Sequence, residues 1–185
     1  RMENIPAREP QEIACMDIDE LTERAVGGDV LALNDLAEMY YKGNGVVQDL
    51  EQAEYWVRKS ADLGDPSGLS NLGIMYRLGE AVAKDVVQAE KLFQKAAEHK
   101  LPEAFENLGD IYYHGEGVSQ DFETAFGFYS QAAEVGSVGG QGKLATMLRL
   151  GEGVDQDLEK ACYWYRQAAE QAEEGAQCSL GLMYQ

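Results

Sequence analysis

Apolar residues in this chain fall three and four positions apart in short runs, and most of these runs end in glycine. Leu33, Leu36, Ala37 and Tyr40 form the first full stripe, which predicts an amphipathic helix from an Asp29 N-cap to about Lys42. Gly43-Asn44-Gly45 then breaks the helix, because glycine reaches positive φ without steric cost. Asp49 opens a second helix. Its carboxylate can accept from the free amides of the first turn and oppose the helix dipole, and Gln52 stands at the capping-box position. Ala53, Trp56, Val57 and Ala61 make the inner stripe of that helix, and Gly64 stops it.

The same pair returns three times in register. Tyr40 becomes Tyr76, Tyr112 and Leu148; Gly43 becomes Gly79, Gly115 and Gly151; Asp49 becomes Asp85, Asp121 and Asp157; Ala61 becomes Ala97, Ala133 and Ala169, each step being 36 residues without insertion or deletion. A gapless period in this range marks a repeat array in which each unit buries its apolar face on its neighbours. The boundaries read as a flexible lead-in over 1–16, a capping helix over 17–28, repeats over 29–64, 65–100, 101–136 and 137–174, and the first helix of a fifth repeat over 175–185. In the capping segment Asp17 and Glu20 form a capping-box pair, Leu21 and Ala25 face inward, and Gly27-Gly28 ends the helix.

Asp65-Pro66 opens the second repeat as an N-cap followed by proline, and Pro102 opens the third. The inner bulky positions of the later second helices are Leu92 and Phe93, Phe128 and Tyr129, Trp164 and Tyr165. Small residues permit close helix approach at Ala53, Ala89, Ala125 and Ala161, and again at Ala37, Gly73, Gly109 and Ala145. The fourth repeat carries Gly139, Gly140 and Gly142 in the first turns of its first helix. Each costs roughly 0.5–1 kcal/mol against alanine, so that helix is expected to fray most at its start.

Charge narrows the function classes. Thirty-three acids against fifteen Lys and Arg give −18 and a pI near 4.3. Such a surface disfavours nucleic acid and anionic membranes, and would steer a basic protein partner; acids scattered over exposed helix faces also need no partner at all. No apolar run is long enough to insert in a membrane, and no signal peptide is visible, so a soluble protein is expected, its compartment (cytoplasm, periplasm or secreted) left open. The sequence starts at Arg1 and not at methionine, which is compatible with a removed leader; the half repeat at its end reads either as a helical cap or, in preference, as the edge of a longer repeat protein.

Candidate chemistry is sparse. Cys15, Cys162 and Cys178 have no metal-type spacing and read as free thiols, although Cys162 and Cys178 can meet across adjacent helices. His99 and His114 have no nucleophile or carboxylate pair at catalytic spacing. The glycine loops lack the Lys-Ser/Thr of a phosphate-binding loop and recur at every repeat, as a structural turn would. Asp49, Asp85, Asp121 and Asp157 lie too far apart for one calcium site and are each assigned to their own helix. No catalytic residue, cofactor or metal is therefore expected.

Leu-Gly-x-x-Tyr, Gly-x-Gly-Val, Asp, Lys-Ala, Trp-Tyr and Ala-Ala at this period resemble the Sel-one-like repeats (SLR), relatives of the tetratricopeptide repeats. The match runs over about residues 17–185 and is fullest in LRLGEGVDQDLEKACYWYRQAAEQ and LGDIYYHGEGVSQDFETAFGFYSQAAEVG. The departures are Ala81 for the second loop glycine, Leu148 for the tyrosine and Lys100 for the terminal glycine, so the loop of the second repeat is expected to differ in conformation. The resemblance implies an all-α fold, a right-handed α-solenoid of antiparallel helix pairs whose first helices line a concave face. It also implies a non-enzymatic adaptor or scaffold of bacterial type.

By the tetratricopeptide pattern, that face would present Asn34, Glu38, Tyr41 and Lys42; Ser70, Ile74, Arg77 and Leu78; Glu106, Asp110, Tyr113 and His114; and Thr146, Arg149 and Leu150. Tyr and Arg are enriched at interface hot spots, and Ile74, Leu78 and Leu150 add apolar area beside the acids Glu106 and Asp110. A protein or peptide carrying apolar and basic residues is the expected occupant, bound to a monomer or weak oligomer. Two further roles stay open: an immunity or inhibitor protein neutralising a basic toxin or enzyme, and a scaffold segment of a larger envelope or signalling protein.

Overall fold

Residues 18–171 are described by the computed structural model, and among them every regular element is an α-helix. In chain order these are α1 (Ile18–Val26), α2 (Val30–Lys42), α3 (Leu50–Asp62), α4 (Pro66–Leu78), α5 (Val86–Glu98), α6 (Pro102–His114), α7 (Phe122–Glu134), α8 (Val138–Leu150) and α9 (Leu158–Glu170). The expected lead-in, the Asp17 cap, the half repeat over 175–185, Cys15 and Cys178 lie outside the described residues. Two compact units divide the chain, Arg1–Asp85 and Val86–Gln185. Within the first, α2 packs on α1 and α3, and α3 on α4. Within the second, α5, α6, α7, α8 and α9 pack each on the next, and α6 also touches α8.

The stripes read from the sequence form much of the core, although Tyr40, Phe128 and Trp164, expected on the inner faces, are only half-buried. Leu33, Leu36 and Ala37 of α2 are buried, as are Ala53, Trp56, Val57 and Ala61 of α3; Ala32 and Met39 widen the buried face of α2 beyond the expected one. In the second unit Tyr129 and Ala133 of α7, Leu144, Met147 and Leu148 of α8, and Ala161 of α9 form one cluster, with Phe122, Val154 and Trp164 packed against it. Fully buried leucines such as Leu36 and Leu108 each contribute roughly 1.5–3 kcal/mol of transfer free energy.

One loop is built four times. The first-helix C-cap is a left-handed glycine, at Gly43, Gly79, Gly115 and Gly151. The amide of the aspartate that precedes the second helix then donates back to the first: Asp49 to Tyr40 at 2.9 Å, Asp85 to Tyr76 at 2.8 Å, Asp121 to Tyr112 and Asp157 to Leu148 at 2.9 Å. Because the Asp49 amide is committed in this way, it is not the acceptor's partner in a reciprocal capping box with Gln52. The aspartate side chains cap as expected, Asp49 accepting from the Glu51 and Gln52 amides, Asp121 from Thr124 and Asp157 from Lys160. Acids or a serine also open the first helices at Asp29, Asp65 and Ser137, whereas Leu101, before Pro102, provides no side-chain cap.

The loop of the second repeat does not depart in the way the sequence suggests. Ala81 adopts φ 59°, beside φ 76° at Gly45, 69° at Gly117 and 68° at Gly153, and the Asp85–Tyr76 hydrogen bond is kept. The surrounding cap geometry dictates the conformation, and alanine accepts a left-handed backbone at about 1–2 kcal/mol. Lys100 does the same with φ 59°, where Gly64 and Gly136 have 80° and 90°.

The glycines at the start of α8 have a packing reason that helix propensity does not disclose. A Cβ on Gly140 would stand 2.5 Å from the Ala132 Cβ of α7, and one on Gly139 would stand 2.5 Å from a Glu106 carboxylate oxygen. On α6, a Cβ at Gly109 would enter the Tyr129 ring, 2.6 Å from Cδ1. The small-residue stripe thus seats second-helix side chains, as its spacing predicts.

Candidate interaction surface on the first helices

The fifteen first-helix positions fall into four columns, each repeating every 36 residues, and the columns do different work. The first contains Asn34, Ser70 and Glu106. Asn34 donates from Nδ2 to Asp65 at 3.0 Å, and Asp65 in turn caps α4 through the Gly68 amide at 2.8 Å. Glu106 accepts from the Ser137 hydroxyl, which itself accepts from the Gly140 amide at 2.8 Å at the start of α8. These side chains brace the N-cap of the following first helix. Ser70 is buried at 4% exposure and offers no surface.

The second column holds Glu38, Ile74, Asp110 and Thr146. Glu38 pairs with Lys42 one turn away at 2.6 Å. Asp110 accepts from the Tyr129 hydroxyl at 2.6 Å and from Lys143 Nζ at 2.7 Å. Lys143 lies 3.7 Å from Glu106 as well and 5.3 Å above the Tyr129 ring, so one ammonium ties both acids to α8. Thr146 shares a hydrogen bond with the Tyr165 hydroxyl at 2.8 Å. Ile74 is half-buried.

The third column is Tyr41, Arg77, Tyr113 and Arg149. Tyr41 donates to Glu80 at 2.9 Å and Tyr113 to Glu152 at 2.8 Å, both glutamates sitting in the glycine loop one repeat on. The Tyr113 ring also packs on His114, Phe122 and Tyr129. Arg77 and Arg149 are half-buried, and the Arg149 carbonyl accepts from Gln156 at 2.7 Å. The fourth column, at the helix ends, is Lys42, Leu78, His114 and Leu150. All four are exposed, Leu78 at 55% and Leu150 at 47%.

Within each unit, three of these columns are largely engaged in holding neighbouring repeats. In the fourth, Leu78 and Leu150 are left to solvent, His114 packs on Tyr113, and Lys42 joins the exposed pair with Glu38, which contributes little to stability. Sequence reasoning missed the partners: Ser137, Lys143, Tyr129, Tyr165, Glu80 and Glu152. Their signal is a pair of recurring separations. The bond from the first column runs 31 residues ahead in two repeats, and the tyrosine-to-glutamate bond 39 residues ahead in two.

Carboxylate partners push three phenols upward. The hydrogen bond from Tyr112 to Glu90, 2.6 Å long, and then burial raise Tyr112 to about 12; Glu80 does the same for Tyr41 and Glu152 for Tyr113, in direction. The folded state therefore prefers the neutral phenol. This stabilisation is complete below pH 10 and is lost between pH 10 and about 12 as the phenolate forms. An ultraviolet phenolate titration is expected to show Tyr112 among the last tyrosines to ionise. Tyr112→Phe should flatten the fall of stability across that window, and an unchanged profile would show the Glu90 bond to be inconsequential.

The loops do not form an anion site. The Gly43 and Asn44 amides donate to the Met39 carbonyl, and the Glu80, Glu116 and Glu152 amides donate to first-helix carbonyls in the same way. Among the described residues, no group of three or more His, Cys, Asp or Glu is placed to hold a metal ion, and no helix is long and apolar enough to cross a membrane. Cys162 is half-buried; its pairing with Cys178 lies outside the described residues.

A family model described as Sel1 repeat matches residues 30–65, 66–101, 102–137 and 140–173. No curated protein matches the chain by sequence. Among solved structures, c5321, a protective antigen present in uropathogenic Escherichia coli strains and displaying an SLR fold, is 36% identical with a TM-score of 0.85, over 91% of this chain and 36% of that one. The chain therefore spans little more than a third of that protein's length. A Sel1 repeat protein from Oxalobacter formigenes is 30% identical with a TM-score of 0.79, over 91% of this chain and 75% of the other. The immunity protein PA5088 from Pseudomonas aeruginosa is 28% identical with a TM-score of 0.61, over 86% of this chain and 58% of the other.

Proposed function

On the premise that this chain belongs to the Sel1 repeat family, an all-α solenoid family of protein-interaction modules, we propose that it is an adaptor that holds a protein or peptide on its first-helix face. Sel1 repeats form scaffolds that are typically non-catalytic. The observation that carries the reading is the fourth column. Lys42, Leu78, His114 and Leu150 occupy equivalent positions, are exposed, and change between lysine, leucine and histidine, whereas the glycine cap just after them is invariant. With Lys42 paired to Glu38 and His114 packed on Tyr113, Leu78 and Leu150 are the side chains of this column that the fold leaves for a partner. Exposed leucines at helix ends supply apolar anchors, and the −18 charge favours a partner with basic residues.

The test is a binding titration with whichever partner co-purifies with the chain. Leu78→Glu and Leu150→Glu are expected to weaken binding about tenfold or more, the scale of a lost interface anchor, with an unchanged melting temperature. Tyr163→Glu, on the exposed side of α9, should leave affinity unchanged. The reverse pattern would move the site to the second helices.

A second reading, an immunity-type inhibitor of a basic toxin or enzyme, is favoured by the likeness to PA5088 together with the acidic charge. It requires the partner to be a toxin or enzyme whose activity falls on binding. A partner whose activity is untouched leaves the adaptor reading.

A further inference from the structure

The four repeats share a set of fastening devices, and around α5 some of them are replaced at both ends while the Gly79 cap and the Asp85–Tyr76 bond are kept. At the entry to α5, the loop glutamine is absent. Gln48, Gln120 and Gln156 each donate from Nε2 to a first-helix carbonyl, of Tyr41, Tyr113 and Arg149, at 2.7–2.8 Å. Their counterpart is Lys84, which is exposed and makes no such bond. In the same loop, the left-handed position is held by Ala81, a conformation that L-residues adopt only under constraint. At the exit from α5, Lys100 occupies the left-handed position filled elsewhere by Gly28, Gly64 and Gly136. The helix that follows begins after Leu101 with no side-chain cap, while Asp29, Asp65 and Ser137 cap its counterparts.

We propose that α5 is a built-in opening point: its backbone hydrogen bonds break first under native conditions, together with its two flanking loops, while α3 and α7 stay closed. Local opening follows the number and quality of the interactions that tie a segment down, and four such ties are weakened around this one helix. An interaction module with one such segment can open locally without unfolding its remaining repeats.

Hydrogen exchange of the full chain, followed by mass spectrometry, tests this directly. Amides of 86–98 are expected to exchange about tenfold faster than those of 122–134 in α7, the difference anticipated from two strained residues and two absent ties. The triple variant Ala81→Gly, Lys84→Gln, Lys100→Gly restores the glycines and the glutamine. All three positions are exposed, so the fold is retained, and the rate ratio between α5 and α7 should fall severalfold. Equal protection of α5 and α7 in the unaltered chain, or a triple variant with an unchanged ratio, overturns the proposal.

Discussion

Gly153→Ala is expected to destabilise the Val86–Gln185 unit by roughly 2–4 kcal/mol. Gly153 has φ 68°, and a Cβ there would be driven into the Phe122 carbonyl, 2.7 Å from the Glu123 amide nitrogen. Those atoms belong to the backbone of the first turn of α7 and cannot rotate away as a side-chain tip can. Left-handed strain costs about 1–2 kcal/mol and overpacking about 1–3 kcal/mol. The smaller entropy of the unfolded alanine chain returns about 0.4–1 kcal/mol. Ala81→Gly is the mirror experiment. It removes the strain at φ 59° and gives up the same unfolded-state entropy, for a net gain of about 0.5–1 kcal/mol. Urea unfolding followed by circular dichroism measures both. Two variants with equal midpoints would mean that the loop conformation carries no energetic weight.

This pair of substitutions also marks where the sequence stops being legible. The apolar stripes, the glycine caps and the aspartates are local signals, set by helix period and by the chemistry of helix ends, so their 36-residue recurrence disclosed the helices and the core. Ala81 shows the limit of a local rule: its identity argued for a different loop, yet the Gly79 cap and the Asp85–Tyr76 bond hold the common one. Gly140 shows another, because its helix-propensity cost is visible in sequence and the Ala132 methyl it makes room for is not. Helical spacing put the candidate residues on the first helices but did not disclose what they engage. Whether Glu106 faces a partner or Ser137, and whether Asp110 faces solvent or Lys143 and Tyr129, depends on contacts between repeats. Helical spacing within one repeat carries no information on those contacts.

Asp110→Lys tests the consequence. Asp110 is an acid on the first-helix face of the second unit, and its carboxylate is already engaged by Tyr129 and Lys143. The substitution removes the acceptor of the Tyr129 hydroxyl, whose ring is 2% exposed, and sets a second ammonium against Lys143. Hydrogen bonds to charged groups are worth roughly 1.5–3 kcal/mol. With the Asp110 side chain still 21% exposed, solvent screening holds the ion-pair share to about 1 kcal/mol or less. A loss of about 2–3 kcal/mol of stability is expected from the two effects together. Asp110→Asn keeps an acceptor for Tyr129 and should cost only about 1 kcal/mol. A fall in partner affinity with Asp110→Lys therefore counts as a contact only to the extent that it exceeds what the unfolded fraction explains. Leu150→Glu, whose side chain is free of such ties, should lower affinity with no loss of stability. If Asp110→Lys leaves the melting temperature unchanged while abolishing binding, the acid belongs to the partner and not to the fold.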